Sequence, residues 1–194
     1  RRRASRVVKL ALALGQEAAA HAQADVATLA TVFSASGADG HNCHALCEQL
    51  ATDDRQISPT RFHNSVHNAA AGYWTIAAKA MAPCQVLSAF DGSFVAGLFD
   101  ALGQVVIDHQ TTLLIAYDSE YPEPLRSARP IPDCAGVALV LAPTKGAQSI
   151  GEIRCELVPV DSCGIELVDH LSNDALESLR IEIPSMRSLP LLQL

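Results

Sequence analysis

Hydrophobic residues in this chain fall into two kinds of segment. Some segments repeat apolar residues at helical spacing, and others are short continuous apolar runs bounded by turn residues. Residues 111–118 are one such continuous run, as expected for a strand in a sheet covered on both faces. Strands are predicted over 26–34, 84–89, 111–118, 135–141 and 149–159. Helices are predicted over 5–22, 44–51, 68–80, 94–102 and 174–179.

The alternation of these strands and helices predicts an α/β fold. Strands separated by helices usually form a mostly parallel sheet with helices on both faces. Residues 5–22 carry apolar side chains on most faces of their helix, which indicates a well-buried element. With 194 residues, a single domain is expected.

Charge and composition restrict the possible ligands. The formal net charge is −7, which argues against a nucleic-acid partner because phosphate binding requires clustered cations. No apolar run approaches the roughly 18 residues of a membrane span. Six cysteines at irregular spacing are typical of reduced thiols, so a cytoplasmic location is expected.

The most informative segment is 57–92. It contains Ser58-Pro59, then Asn68 to Gly72 as a helix start, Ala82-Pro83 as a turn, the strand 84–89, and Gly92-Ser93 before another helix. This order resembles the ketosynthase block of the thiolase superfamily, and the resemblance extends over roughly 4–156. It implies a thiolase-like fold in which this chain, 1–194, is a single N-terminal half. Relatives begin with an earlier first strand, so the resemblance implies that this strand is missing here.

The resemblance also implies that the catalytic nucleophile is absent. Ketosynthases place a cysteine where strand 84–89 meets the following helix, but this chain has Asp91 there, or Phe90 if one deletion is allowed. Asp91 at a helix start is interpreted as a cap. The second half, which supplies the catalytic histidines and a lysine in the family, has no counterpart here. Condensation by this chain alone is therefore not expected, and no cofactor is implied.

The family further implies a partner. Ketosynthase-like folds dimerise through the strand that leads to the nucleophile, here 85–89, and an exposed edge strand needs covering. The expected partner is a full-length ketosynthase, with acyl carrier protein reached through that partner. The chain would then act as a chain-length-factor-like subunit of aryl-polyene or related type II fatty-acid-like pathways, as the sequence SPTRFHNSVHN suggests.

Site residues follow from the same resemblance. Thr60, Arg61 and Phe62 are expected near the partner's acyl tunnel, where their size would limit the growing chain. The remaining interface or tunnel candidates are His63, His67, Asn68, Val86, Leu87 and Ser88.

Two other functions stay open. One is a stand-alone acyl-handling enzyme that uses Asp91 or Ser93, although Val95 stands where a G-x-S-x-G elbow requires glycine. The other is a homodimeric protein that binds an acyl carrier or acyl-CoA.

Metal sites are not predicted, although two groups of residues have suitable spacing. His63 and His67 are four residues apart, but spacing marks no third ligand. The second group contains Cys43 and Cys47 with His41 and His44, and is interpreted as a partly buried cluster without metal. Cys84 is interpreted as a small core residue.

Overall fold

A computed structural model describes residues 4–156, 159 and 170–193 of this chain. Four strands form one sheet in the order β2-β1-β3-β4. Their bounds are Ala30–Ser34 for β1, Cys84–Leu87 for β2, Thr112–Asp118 for β3 and Ala135–Leu141 for β4. β1 is parallel to both β2 and β3, and β4 is antiparallel to β3. The mostly parallel sheet is thus confirmed.

Seven helices accompany the sheet in the described residues. They are α1 Arg6–His21, α2 Gly40–Leu50, α3 Pro59–His63, α4 Ala69–Ala78, α5 Ser93–Val106, α6 Leu125–Ala128 and α7 Asp174–Glu182. The described residues also contain two 3-10 segments, Phe90–Gly92 and Pro184–Leu192. Among the helices that the structure describes, none is long and apolar enough to cross a membrane.

Helices cover both faces of the sheet, as predicted. On one face, α1 and α4 pack on β1 and β3, with Phe33, Trp74 and Ile115 fully buried. On the other face, α5 packs on Val32 and Leu114 through Phe94 and Ala101. Neighbouring residues of β1 and β3 therefore enter different cores, which explains why both strands are apolar throughout.

The predicted helix and strand boundaries differ from the structure where side chains bond the backbone. β1 begins at Ala30, not at position 26, because Asp25 accepts a hydrogen bond from the amide of Ala27 at 3.0 Å and closes a turn. α2 begins at Gly40, four residues before the predicted start, because Asp39 caps it by accepting from the Asn42 amide at 3.0 Å.

One predicted strand is wrong, and two short helices, α3 and α6, were missed. Residues 149–156 form no strand, and most are exposed, so no neighbouring strand satisfies their backbone; part of the predicted 149–159 lies outside the described residues. No helix was predicted over residues 59–63, but Ser58 caps a short helix there with Pro59 in its first turn.

The C-terminal segment packs against the sheet. Ile183 and Met186 form a separate apolar cluster with Ile131. The Pro184–Leu192 segment contacts β3, β4 and α5. The apolar tail 189–194, which had no predicted place, thereby joins this layer through its described residues.

Candidate functional site at the end of strand β2

β2 is an edge strand of the described sheet and pairs only with β1 there. Its successive side chains pack into the two cores on opposite faces of the sheet. Val86 packs with the α1 and α4 cluster, and Leu87 packs with the α5 cluster. The opposite backbone edge carries no strand among the described residues. Such an edge is a template for pairing with another chain.

A tight turn connects β2 to α5. Phe90 has φ of 52°, in the left-handed region that a bulky residue rarely adopts. Ser93 holds this turn, because its hydroxyl accepts from the Ala89 amide at 3.0 Å and donates to the Phe90 carbonyl at 2.7 Å. Ser93 is 2% exposed. The predicted strand-to-helix elbow is therefore present, and Phe90 is its strained residue.

Two arginines bind the residues of this elbow. Arg129 donates to Asp91 Oδ1 at 2.8 Å, and Arg187 donates to Asp91 Oδ2 at 3.2 Å. The Arg129 guanidinium also lies 3.9 Å from the centre of the Phe90 ring, a cation–π contact. Asp91 makes these ion pairs instead of capping α5, whose first turn has no side-chain cap, so the predicted cap is wrong.

The predicted tunnel residues lie on and beside α3. Phe62 is 64% exposed. Thr60 and Arg61 line an open cleft of about 490 Å³ with Arg6, Asp39 and other mainly polar residues. The Arg61 carbonyl accepts from the Asn42 side chain at 2.8 Å, which fixes α3 to α2.

Other predicted site residues connect this region to β2. The His67 ring nitrogen Nε2 lies 3.2 Å from the Leu87 carbonyl oxygen, so the segment before α4 is bonded to the end of β2. Ser88 donates to the Ser36 carbonyl at 3.3 Å. Asn68 precedes α4 without a side-chain cap bond. The structure brings His67 and Leu87 together.

Comparison with known proteins places this arrangement in a family. The model described as beta-ketoacyl synthase, N-terminal domain, matches residues 1–166. The chain belongs to this family. Among curated proteins, none matches the chain.

Two solved structures of related proteins are similar to this chain. One is a ketosynthase, ApeO, in complex with its chain length factor, ApeC, from Xenorhabdus doucetiae; identity is 29%, TM-score 0.64, and the match covers 75% of this chain and 60% of that one. The other is a beta-ketoacyl synthase from Burkholderia phymatum STM815, with 15% identity, TM-score 0.54, and coverage of 66% and 33%. The second likeness concerns the fold alone.

Possible metal ligands lie away from the β-ketoacyl synthase elbow. The described residues contain one group of three candidate ligands, Glu120, Asp133 and Cys134. Arg6 already forms ion pairs with both carboxylates of this group, donating to Glu120 at 2.8 Å and to Asp133 at 2.7 Å. His63 and His67 are not part of it.

Three cysteines differ in burial. Cys43 and Cys47 are both exposed on α2, which corrects the interpretation that their cluster is partly buried. Cys84, at the start of β2, packs against the α1 and α4 core, as predicted for a small core residue.

Sequence reasoning missed both arginines of the elbow. Arg187 lies 96 residues from Asp91, beyond the matched family domain, and no local pattern marked it. A charged residue within an otherwise apolar C-terminal segment is the one signal that could have suggested a buried or paired role.

Proposed function

We propose that this chain is a non-catalytic, chain-length-factor-like subunit that pairs with a full-length ketosynthase. The elbow supports this proposal most directly, because Arg129 and Arg187 hold Phe90 and Asp91 there. A ketosynthase needs a thiolate at this position to accept an acyl group. An aromatic ring and a doubly paired carboxylate supply no such nucleophile.

The free edge of β2 supports the pairing. Strand addition satisfies backbone donors and acceptors along such an edge. The similar ApeO–ApeC structure is itself a ketosynthase with its chain length factor. This chain spans 60% of the length of that match, so the activity and partners of the whole assembly belong to the proposal.

Control of chain length would act through α3. Phe62 is exposed, and Arg61 is fixed to α2 through its carbonyl. The acyl tunnel itself would lie in the partner, with α3 close to it. His63, His67, Asn68 and residues 86–88 then border this contact. The proposed setting is cytoplasmic synthesis of aryl-polyene or similar acyl chains, with acyl carrier protein bound through the partner.

Co-expression with the full-length ketosynthase encoded nearest to this chain tests the pairing. Native mass measurement is expected to give a one-to-one complex, with the ketosynthase insoluble or inactive alone. A free monomer or homodimer that ignores the ketosynthase would reject the proposal and would favour an acyl-binding homodimer. Incubation with acyl-CoA, followed by intact mass, tests the stand-alone enzyme, because an acyl adduct on Asp91 or Ser93 would support it.

Product analysis of the complex tests chain-length control separately. Phe62→Ala and Arg61→Ala should lengthen the products while the complex stays intact. Val106→Ala is the matched control, because Val106 is 67% exposed at the far end of α5. If the complex stays intact and its products are unchanged, the chain would stabilise the ketosynthase without controlling chain length.

A further inference from the structure

The open cleft lined by Thr60 and Arg61, the β1–β3 cleft, lies at the carboxyl ends of these two strands. β1 pairs with β2 on one side and with β3 on the other, so the chain crosses over β1 between β2 and β3. In open α/β sheets, ligands bind at the carboxyl ends of the strands where the strand order reverses in this way. Because β1 and β3 are parallel, the loops that follow them, which contain Asp39 and Glu120, lie at the same end of the sheet.

Polar side chains from four parts of the chain form the walls of the β1–β3 cleft. Asp39 comes from the loop after β1 and Glu120 from the loop after β3, while Arg6 lies in α1 and Arg61 in α3. The volume of about 490 Å³ is within the usual range of small-molecule pockets. Because such pockets are mostly apolar, these walls suit a small ligand that carries several polar groups.

Two carboxylates of the cleft each have one oxygen that lacks a donor. Asp39 is 9% exposed, and its Oδ1 accepts from the Asn42 amide at 3.0 Å, but its Oδ2 is buried and has no hydrogen-bond partner in the described part of the chain. Glu120 Oε1 accepts from Arg6 at 2.8 Å, and Glu120 Oε2 is likewise buried without a partner among those residues. Buried polar atoms are almost always hydrogen-bonded, so both oxygens require a donor that a ligand can supply.

We propose that the β1–β3 cleft binds a small zwitterion of the amino-acid class. Its ammonium group donates to the carboxylates of Asp39 and Glu120, because an ammonium carries three donors and no acceptor. Its anionic group binds Arg61, whose guanidinium presents a fork of donors that matches a carboxylate. Arg61 is exposed, and in the described residues its backbone amide and carbonyl make its hydrogen bonds, which leaves the guanidinium for the ligand.

The balance of charge favours a zwitterion over a simple ion. Two arginines, Arg6 and Arg61, and two carboxylates, Asp39 and Glu120, line the same cleft. A purely cationic ligand would meet both arginines, and a purely anionic ligand would meet both carboxylates, so each would be repelled as well as attracted. A ligand that carries both charges pairs each of them with its opposite.

A metal ion fits the cleft less well than an ammonium group. The candidate metal ligands that the described residues bring together are Glu120, Asp133 and Cys134, and Asp39 does not belong to this group. Arg6 forms ion pairs with Glu120 and Asp133, so its guanidinium already supplies their positive charge. The lone oxygen of Asp39 is therefore left for an organic donor.

Isothermal titration calorimetry with ω-amino acids, from glycine to 6-aminohexanoate, tests the cleft on the full chain without a ketosynthase. The outcome is therefore separate from the test of pairing. One member of the series should bind with one-to-one stoichiometry, because the spacing of its charges matches that of the cleft. The amine and the carboxylic acid of the same length should each bind at least about 10-fold more weakly, since each lacks one charged hydrogen-bonding group. No saturable binding by any member, or equal binding of the amine and the amino acid, would overturn the proposal.

Charge-neutral variants locate the binding to the cleft. Asp39→Asn keeps the oxygen that caps α2 and removes the charge, so the fold should stay intact by far-UV circular dichroism. Asp39→Asn, Glu120→Gln and Arg61→Gln should each weaken the best amino acid on the order of 10-fold. Glu48→Gln is the matched control, because Glu48 is an exposed carboxylate on α2 outside the cleft, and its affinity should equal that of wild type. Wild-type affinity in both Asp39→Asn and Arg61→Gln would place the ligand elsewhere and reject the site.

Discussion

The carboxylate of Asp118, at the end of β3, accepts a hydrogen bond from the backbone amide of Ser185 at 2.7 Å. Its other oxygen accepts from the Ser36 amide at 2.8 Å and from the Ser36 hydroxyl at 2.5 Å. One buried side chain thus joins the loop after β1 to the C-terminal segment. That segment also supplies Arg187 to the elbow, so Asp118 helps to position a residue of the candidate site.

Asp118→Ala should destabilise the fold by about 2–4 kcal/mol, because it leaves buried donors on Ser36 and Ser185 without an acceptor. Urea denaturation measures this change. Asp53→Ala, in an exposed turn, is the control and should change stability by less than about 0.5 kcal/mol. Equal stability of the two variants would contradict the linking role of Asp118.

Asp118 should also make stability depend on pH in an unusual direction. Burial raises the pKa of this carboxyl above its ordinary value of 3.8, although its hydrogen bonds oppose the shift. Between the unfolded and folded pKa values the native state binds more protons, so this contribution to stability falls as pH rises through that window. Asp118→Asn should remove that dependence, measured as unfolding free energy against pH.

Glu177 should make stability depend on pH in the direction opposite to that of Asp118. Its carboxylate accepts from Arg180 at 2.7 and 2.6 Å and from the Leu171 amide at 3.1 Å, and it contacts His170, which lowers its pKa well below the ordinary 4.5. Its stabilisation is present above about pH 4.5 and is lost as pH falls through and below that value. Glu177→Gln should remove this acid-dependent loss. An unchanged acid profile would count against the carboxylate network.

Close packing of Gly15 against the core gives a test of the α1 interface. A Cβ at Gly15 would lie 2.7 Å from Ile115 Cδ1 and 2.7 Å from Trp74 Cζ3. Gly15→Ala should therefore destabilise by about 1–3 kcal/mol through overpacking. Gly103→Ala, in α5 with nothing within 4 Å, should be neutral or stabilising by up to about 1 kcal/mol. The melting temperatures of both variants test this. A lower value for Gly15→Ala alone indicates overpacking, and equal values would contradict close packing at Gly15.

Ser93→Ala should weaken the elbow between β2 and α5. The substitution takes the partner from the Ala89 amide and from the Phe90 carbonyl, at a cost of about 1–3 kcal/mol. Ser88→Ala is the control, because Ser88 is exposed and makes one long bond of 3.3 Å. Denaturation midpoints measure both effects. A fluorophosphonate adduct on wild-type Ser93 would instead indicate a reactive serine.

The elbow shows which features of the site could be predicted from the sequence and which could not. The resemblance of segment 57–92 to the ketosynthase block predicted the strand, the turn and the following helix. The role of Asp91 was predicted wrongly as a cap. Its partners, Arg129 and Arg187, lie 38 and 96 residues away in sequence, and no local pattern encodes an ion pair at that separation.

Apolar patterning by itself determined the α/β class, the mostly parallel sheet and the helices on both faces, because burying continuous apolar strands requires cover on each side. The absence of a cysteine at the elbow also followed from the sequence, through its resemblance to the ketosynthase block. Only the tertiary structure decided that the C-terminal segment packs on the sheet and that Asp118 holds Ser185. Contacts between distant residues depend on how complete elements pack, and that packing is a property of the whole chain.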